Sequence, residues 1–165
     1  MAVSQVESNR RVRVLSEGIR QAGLRLTHQR LEIVREIAGT DVHPDVEEVY
    51  EGVRERVPTI SLDTVYRTLS ALTDRGLIER VTATPGPARY DGNPFHHHHF
   101  VCTRCGLVRD IDDGDLDAIS GTPQTKLLGR VESVQVLYRG VCAACKTSDT
   151  PGDRRLARGK GRHSG

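Results

Sequence analysis

Apolar residues recur at spacings of three and four along the first half of the chain, and glycine or proline interrupts each run. Val12, Leu15, Ile19 and Ala22 predict a helix over residues 4–22 that stops at Gly23. Thr27 then reads as the cap of a second helix, whose stripe is Leu31, Val34, Ile37 and Ala38 and which ends at Gly39. The stretch HPDVEEVYEGVRERVP places Pro44 near a helix start, with acidic residues in the first turn and Arg in the last. The helix dipole favours that order. Val46, Val49, Tyr50 and Val53 form its inward stripe, and Pro58 stops it. Ser61 or Asp63 caps a fourth helix with Val65, Leu69 and Leu72 inward and Gly76 as its breaker.

The period then changes. LIERVTA, TPGP and ARYD read as strand, turn and strand. Short helices followed by a hairpin are the layout of a winged helix-turn-helix domain, here residues 1–90. Residues 91–146 form a second unit. In it, HHFVCTRC and LVRDI are strands, DDGDLDAISGTPQTKLLG is weakly helical and interrupted by Gly121 and Pro123, and alternation from Val134 to Tyr138 predicts a last strand. Residues 147–165 are polar, Gly-rich and without periodicity, which predicts a disordered basic tail.

Composition sharpens this only when divided. Residues 1–90 carry 13 Lys+Arg and 13 Asp+Glu, residues 91–146 carry 6 and 7, and residues 147–165 carry 5 and 2. Nucleic-acid binding therefore cannot rest on overall charge and needs Arg gathered on one face. No apolar run is long enough for a membrane span, and the N-terminus lacks the apolar centre of a signal peptide. A cytoplasmic location with no membrane partner is expected.

The chemistry-bearing residues lie after residue 90. Cys102, Cys105, Cys142 and Cys145 form two Cys-x-x-Cys pairs. In a reducing compartment such pairs are expected to hold zinc through four thiolates, a closed structural site; redox pairs or inert thiols are the alternatives. Just before them stand four consecutive histidines. On a regular strand His97 and His99 share one face while His96 and His98 share the other with Cys102. A His-x-His pair can chelate a second metal away from the cysteines but needs more ligands. Asp91, Asp110 and the distant His43 are candidates, against the plainer readings of a cap or a solvated carboxylate.

Taken in order, RLTHQR, HPDVEEVY, SLDTVYRTLSAL, GLIERV, RYD, HHHHFVCTRCG and GVCAAC resemble the ferric uptake regulator family of bacterial metal-dependent repressors, across about residues 8–146. The resemblance implies an α+β fold, an N-terminal winged helix joined to a C-terminal α/β dimerisation domain. It puts structural zinc on the four cysteines and a regulatory Fe(II) or Mn(II) on His43, Asp91, His97, His99 and Asp110. It also implies a homodimer, a double-stranded DNA operator, and a cation that sets the relative orientation of the two domains. Asp at positions 91 and 110 is most like the peroxide-sensing PerR branch, in which peroxide reacts at bound iron, a ligating His is oxidised, metal is released and repression ends. Some members have a third metal site at positions corresponding to His96, His98, Asp117 and Val134. Here His98 replaces the usual Asp and Val134 the usual His, so that site is not expected.

The fourth helix is then the recognition helix. Thr64, Tyr66 and Arg67 are its expected DNA contacts, with packing as the alternative role for Tyr66. Arg25, Thr27 and Arg30 sit where a helix N-terminus could meet phosphate, and Arg10, Arg11 and Arg13 either add salt-dependent affinity or form a solvated face. A regulator of zinc, manganese or nickel uptake is the alternative within the family, and a zinc-dependent thiol redox enzyme is the alternative outside it. Apart from the metal, only hydrogen peroxide is expected as a small-molecule partner.

Overall fold

The computed structural model describes residues 3–82 and 86–147. Most of the tail and part of the predicted TPGP turn lie outside the described residues. Four helices come first: α1 (Gln5–Gln21), α2 (His28–Ala38), α3 (Val46–Arg54) and α4 (Leu62–Thr73). Each starts where a side chain can accept the orphan amides of the first turn. Ser4, Thr27 and Ser61 cap α1, α2 and α4, and Asp45 forms a reciprocal capping box with Glu48 on α3. Gly76 takes φ +65 just past α4, which a residue with a Cβ tolerates poorly. The helices bury one core from Leu15, Ile19, Ile33, Val34, Ile37, Val49, Val53, Val65, Leu69 and Leu72. Ala22 is exposed at the end of α1, so the expected stripe stops one turn early.

Strands β1 (Glu79–Thr82) and β2 (Ala88–Asp91) pair antiparallel as the hairpin. A second sheet has the order β4-β3-β5, from β3 (His98–Cys102), β4 (Val108–Ile111) and β5 (Leu137–Gly140). β3 pairs antiparallel with β4 and parallel with β5, the latter across short helices α5 (Gly114–Asp117) and α6 (Pro123–Leu128). A last helix, α7 (Ala143–Thr147), follows β5. β5 is shorter than the alternation from Val134 predicts. The Val136 amide donates to the His98 ring at 3.2 Å instead of joining a backbone ladder, so regular pairing begins at Leu137.

The two parts touch through a small apolar cluster, Val81 of β1 with Val101 and Val108 of the second sheet. The connection between them is tight. A Cβ on Gly92 would come within 2.7 Å of the backbone of Ile37, so only glycine lets the chain cross the end of α2.

Candidate metal centres

Two clusters of metal-ligating side chains follow from the alternation on β3. Cys102, Cys105, Cys142 and Cys145 bring their sulfurs within 4.8 Å of one another, with Cys105 and Cys142 at 3.8 Å. A tetrahedral zinc–thiolate site with bonds of about 2.3 Å requires sulfurs about 3.8 Å apart, so the donor set fits zinc. The thiols do not share one protonation state. Burial pushes Cys102 up, but amides of Cys142, Cys105 and Arg104 outweigh it and hold the thiol down at about 6. Burial raises Cys105, and hydrogen bonds to Cys105 and Cys142 raise Cys145.

The second cluster faces the other way. His43, Asp91, His97, His99 and Asp110 offer ligand atoms within 4.8 Å of one another, and only Asp110 is not buried outright. Cross-strand register pairs His99 with Asp110, which puts both on one face. His97 joins them from two residues earlier, and Asp91 comes from the end of β2. His43 comes from the helical part, 56 residues before His99 in the chain, and its Nε2 stands 3.2 Å from that of His99. The Nε2 of His97 is 3.0 Å from the same atom. Asp91 Oδ2 lies 2.8 Å from His97 Nε2, and Asp110 Oδ1 lies 2.9 Å from His43 Nε2.

Donors about 3 Å apart are the spacing of neighbouring ligands around an ion with bonds of about 2.1 Å. Asp110 Oδ1 is buried without a well-aligned hydrogen bond, as an oxygen aimed at a cation would be. Three imidazoles and two carboxylates suit Fe(II), Mn(II) or Zn(II) and exclude thiophilic selection. The residues fit a divalent cation.

Two features hold the cage. His97 Nδ1 lies 2.7 Å from the Phe95 carbonyl, which fixes the ring proton on Nδ1 and leaves the Nε2 lone pair facing inward. His43 has φ +51, the one positive φ among described non-glycine residues. Such a backbone costs on the order of 1–3 kcal/mol and needs support. Arg89 supplies it: Nη1 donates to the His43 carbonyl at 2.9 Å and to Glu48 at 3.1 Å, while Nε donates to the Gly106 carbonyl beside the cysteine knuckle at 3.2 Å. Arg89 thus ties the wing, the start of α3 and the second sheet to one guanidinium.

His96, His98 and Asp117 also come together, both Nε2 atoms lying within 3.3 Å of Asp117 Oδ1. The His98 ring is polarised opposite to His97. Its Nδ1 accepts the Val136 amide, so its proton belongs on Nε2 and the lone pair a metal needs is taken.

The expected DNA contacts fall on two surfaces. Tyr66 is 56% exposed, which removes the packing role, and Arg67 is exposed beside Asp63 at 3.8 Å. Thr64 is half-buried and bonds to Ser61, whereas Thr68 is buried. Arg25 and Thr27 are exposed and Arg30 is half-buried, its Nη1 donating to the Arg25 carbonyl. Arg11 is not a free cation. It is buried and paired with Glu7 and Asp41, each at 3.1 Å. Arg10 lies over the Phe95 ring at 3.8 Å. Both brace α1 against segments that carry the cage. Arg89 does not announce its role by spacing, since its partners are distant in sequence, and for Arg11 only Glu7, four residues earlier on α1, is a local partner, whereas Asp41 is not.

The sequence profile of the ferric uptake regulator family matches residues 21–137. The chain belongs to the ferric uptake regulator family. The peroxide-responsive repressor PerR of Staphylococcus epidermidis is 31% identical over 128 residues, 78% of this chain and 85% of that one. The fold is also similar to a zinc-bound manganese uptake regulator, at 31% identity and TM-score 0.59, covering 78% of this chain and 98% of that one. A zinc uptake regulator solved with zinc and DNA is 26% identical, with TM-score 0.55 and coverage of 84% and 95%. As a member of the ferric uptake regulator family this chain is a metal-dependent transcriptional repressor and not an enzyme, which disposes of the thiol redox alternative. No described helix is long and apolar enough to cross a membrane.

Proposed function

We propose that this protein is a homodimeric repressor whose grip on operator DNA depends on a divalent cation held by His43, Asp91, His97, His99 and Asp110, with zinc in the four cysteines. The observation that carries the reading is the meeting of His43, from the helical part, with ligands of the second sheet in one buried cage. A cation there favours the one arrangement of the parts in which all five donors reach it. The exposed apolar residues Leu137, Tyr138 and Val141 lie on or beside the edge strand β5 and supply a face for a second copy. The zinc uptake regulator with DNA supports an operator as the partner.

The likeness to a peroxide-responsive repressor, with the all-nitrogen-and-oxygen cage, favours peroxide as the signal. Bound Fe(II) would supply the electrons that reduce hydrogen peroxide beside the imidazoles. The test loads the protein with Fe(II), adds peroxide at low concentration, and maps peptide masses. A gain of one oxygen on His43, His97 or His99 together with loss of operator binding is expected; untouched histidines with oxidation only on cysteines rule peroxide sensing out. Likeness to the manganese uptake regulator keeps metal sensing as the second reading, and the same experiment separates the two.

Outward-facing Tyr66 and Arg67 on α4 are the proposed base contacts, with Thr64, Arg25, Thr27 and Arg30 toward phosphate. Arg67→Ala is expected to weaken operator binding by about 1–3 kcal/mol and to relax sequence preference in a mobility-shift series.

Metal uptake should also depend on pH. In the metal-free protein burial disfavours a charged His97, but the hydrogen bond and charge of Asp91 outweigh it and raise the group from 6.5 to about 9. Because the folded value is the higher one, this pair stabilises the metal-free fold fully below about pH 6.5 and ceases to do so as pH rises through about 9. A cation must displace that proton, so apparent affinity for Mn(II) should rise about tenfold per pH unit between about pH 7 and 9. Titrations in buffers of different ionisation heat should show one proton released; a flat profile would contradict the assignment.

A further inference from the structure

We propose that Asn93 is a positioning residue that presents the two carboxylates of the cage one oxygen at a time; this rests on the reading that the cage holds a cation. Asn93 follows Asp91 by two residues and is half-buried at the crossing between the two parts of the fold. Its backbone amide donates to Asp91 Oδ1 at 2.8 Å. Its side-chain Nδ2 donates to Asp110 Oδ2 at 3.2 Å. Its Oδ1 accepts the Phe95 amide at 3.2 Å.

The orientation of the side-chain amide is not arbitrary. One end faces a carboxylate oxygen and must be the donor, and the other faces a backbone N–H and must be the acceptor. No other side chain of this length carries both functions on one carbon.

In each carboxylate the oxygen tied to Asn93 is the one farther from the histidine nitrogens; for Asp91 that is Oδ1, which stands 3.6 Å from His43 Nε2. Asp91 Oδ2 lies 2.8 Å from His97 Nε2 and 3.3 Å from His99 Nε2, whereas its Oδ1 takes the Asn93 amide. Asp110 Oδ1 lies 2.9 Å from His43 Nε2, whereas its Oδ2 takes the Asn93 side chain. Asn93 therefore occupies the second lone-pair set of both groups and opposes their rotation into two-oxygen ligands. Five single-atom donors result, three nitrogens and two oxygens. The third bond extends the arrangement, because Phe95 also accepts from His97 Nδ1 at 2.7 Å. One residue thus governs the setting of Asp91, Asp110 and, through Phe95, His97.

The test uses Co(II), whose ligand-field bands report the number and kind of donors, added to full-length protein that retains its zinc. Asn93→Ala is expected to lower Co(II) affinity by about 10–100-fold, the usual effect of removing a partner of a metal ligand, and to change the band positions and intensities as the carboxylates turn. Asn93→Asp keeps the size and the acceptor for Phe95 but sets a like charge against Asp110. It is the variant to read if the alanine protein fails to fold, and its bands are expected to change as well. Zinc content should stay at one per chain in both. Affinity within twofold of the unaltered protein with superimposable bands overturns the proposal. So does weakened binding with unchanged bands, since that outcome reports only a loosened fold. If the unaltered protein takes up no Co(II) beyond its zinc, the cage reading itself fails and this inference falls with it.

Discussion

His43→Asn should abolish metal-dependent operator binding while leaving the cysteine-bound zinc in place. Asparagine is chosen because it tolerates the left-handed backbone at φ +51, so the start of α3 and its contact with Arg89 survive. What disappears is the donor that the helical part gives to the cage. Asp91 stands at the junction, and His97, His99 and Asp110 belong to the second part. A cation held by those four still binds, but it binds almost equally in either arrangement of the parts. A ligand with equal affinity for two states shifts neither, however tightly it binds. Moving a population from 1:99 to 99:1 takes about 10⁴-fold preference, or about 5.5 kcal/mol. His43 is therefore expected to matter more for coupling than for retention. Mn(II) affinity should fall at least about a hundredfold, beyond the range for outer-layer partners, and operator affinity should lose all dependence on Mn(II). His96→Ala, one strand face away, should do neither. Calorimetry with Mn(II) and mobility shifts with and without it check both numbers. Retained metal dependence in His43→Asn would remove the basis of the proposed mechanism.

Removing the zinc should have the largest effect on stability, and only in one half of the molecule. The second sheet has little core of its own. Its buried apolar cluster is Val101 and Val108 with Val81 of the hairpin. Each such side chain contributes about 1.5–3 kcal/mol, small against the entropy of ordering three strands and their connections. β5 and its neighbours expose Leu137, Tyr138 and Val141, so β5 is held by pairing with β3 and by the cysteines that follow it. A structural zinc contributes about 10–16 kcal/mol of apparent folding energy at neutral pH, as much as a whole domain's net stability of about 5–15 kcal/mol. Cys145→Ser probes this with little disturbance of packing, since that residue is only half-buried. It should lose zinc to a competing chelator, and amide exchange in β3, β4 and β5 should approach unfolded rates. Protection in α1 to α4 should persist, because their core closes without the cysteines. Undiminished protection of β5 in the zinc-free protein would show that the sheet does not need the metal.

The alternation on β3 illustrates how far local rules reach. Parity alone separated His97 and His99 from His96, His98 and Cys102, and the fold keeps that separation even though β3 begins only at His98, with His96 and His97 in the segment just before it. The helix start at Thr27, and the one at Ser61 to within a choice between Ser61 and Asp63, were legible because an unsatisfied amide needs a nearby oxygen and few residues provide one. The four cysteines stood out as candidate zinc ligands by type and spacing, and the fold brings their sulfurs within 4.8 Å of one another.

Long-range pairing was not legible. Periodicity left His43 indistinguishable from a capping residue, and Arg11 read as a DNA-facing cation until its carboxylates, Glu7 and Asp41, closed on it. Nothing local marks Asn93 as the link between Asp91 and Asp110, or Arg89 as the support for a strained His43. The shortening of β5 likewise depends on a ring from another strand capturing one amide. Sequence by itself determined the four N-terminal helices, the cap of α2 and the chemical type of each cluster, since those follow from spacings within a single segment. Tertiary structure alone decided which distant groups meet, which lone pairs face inward and which charges are already paired, because contacts between remote segments leave no period in the chain.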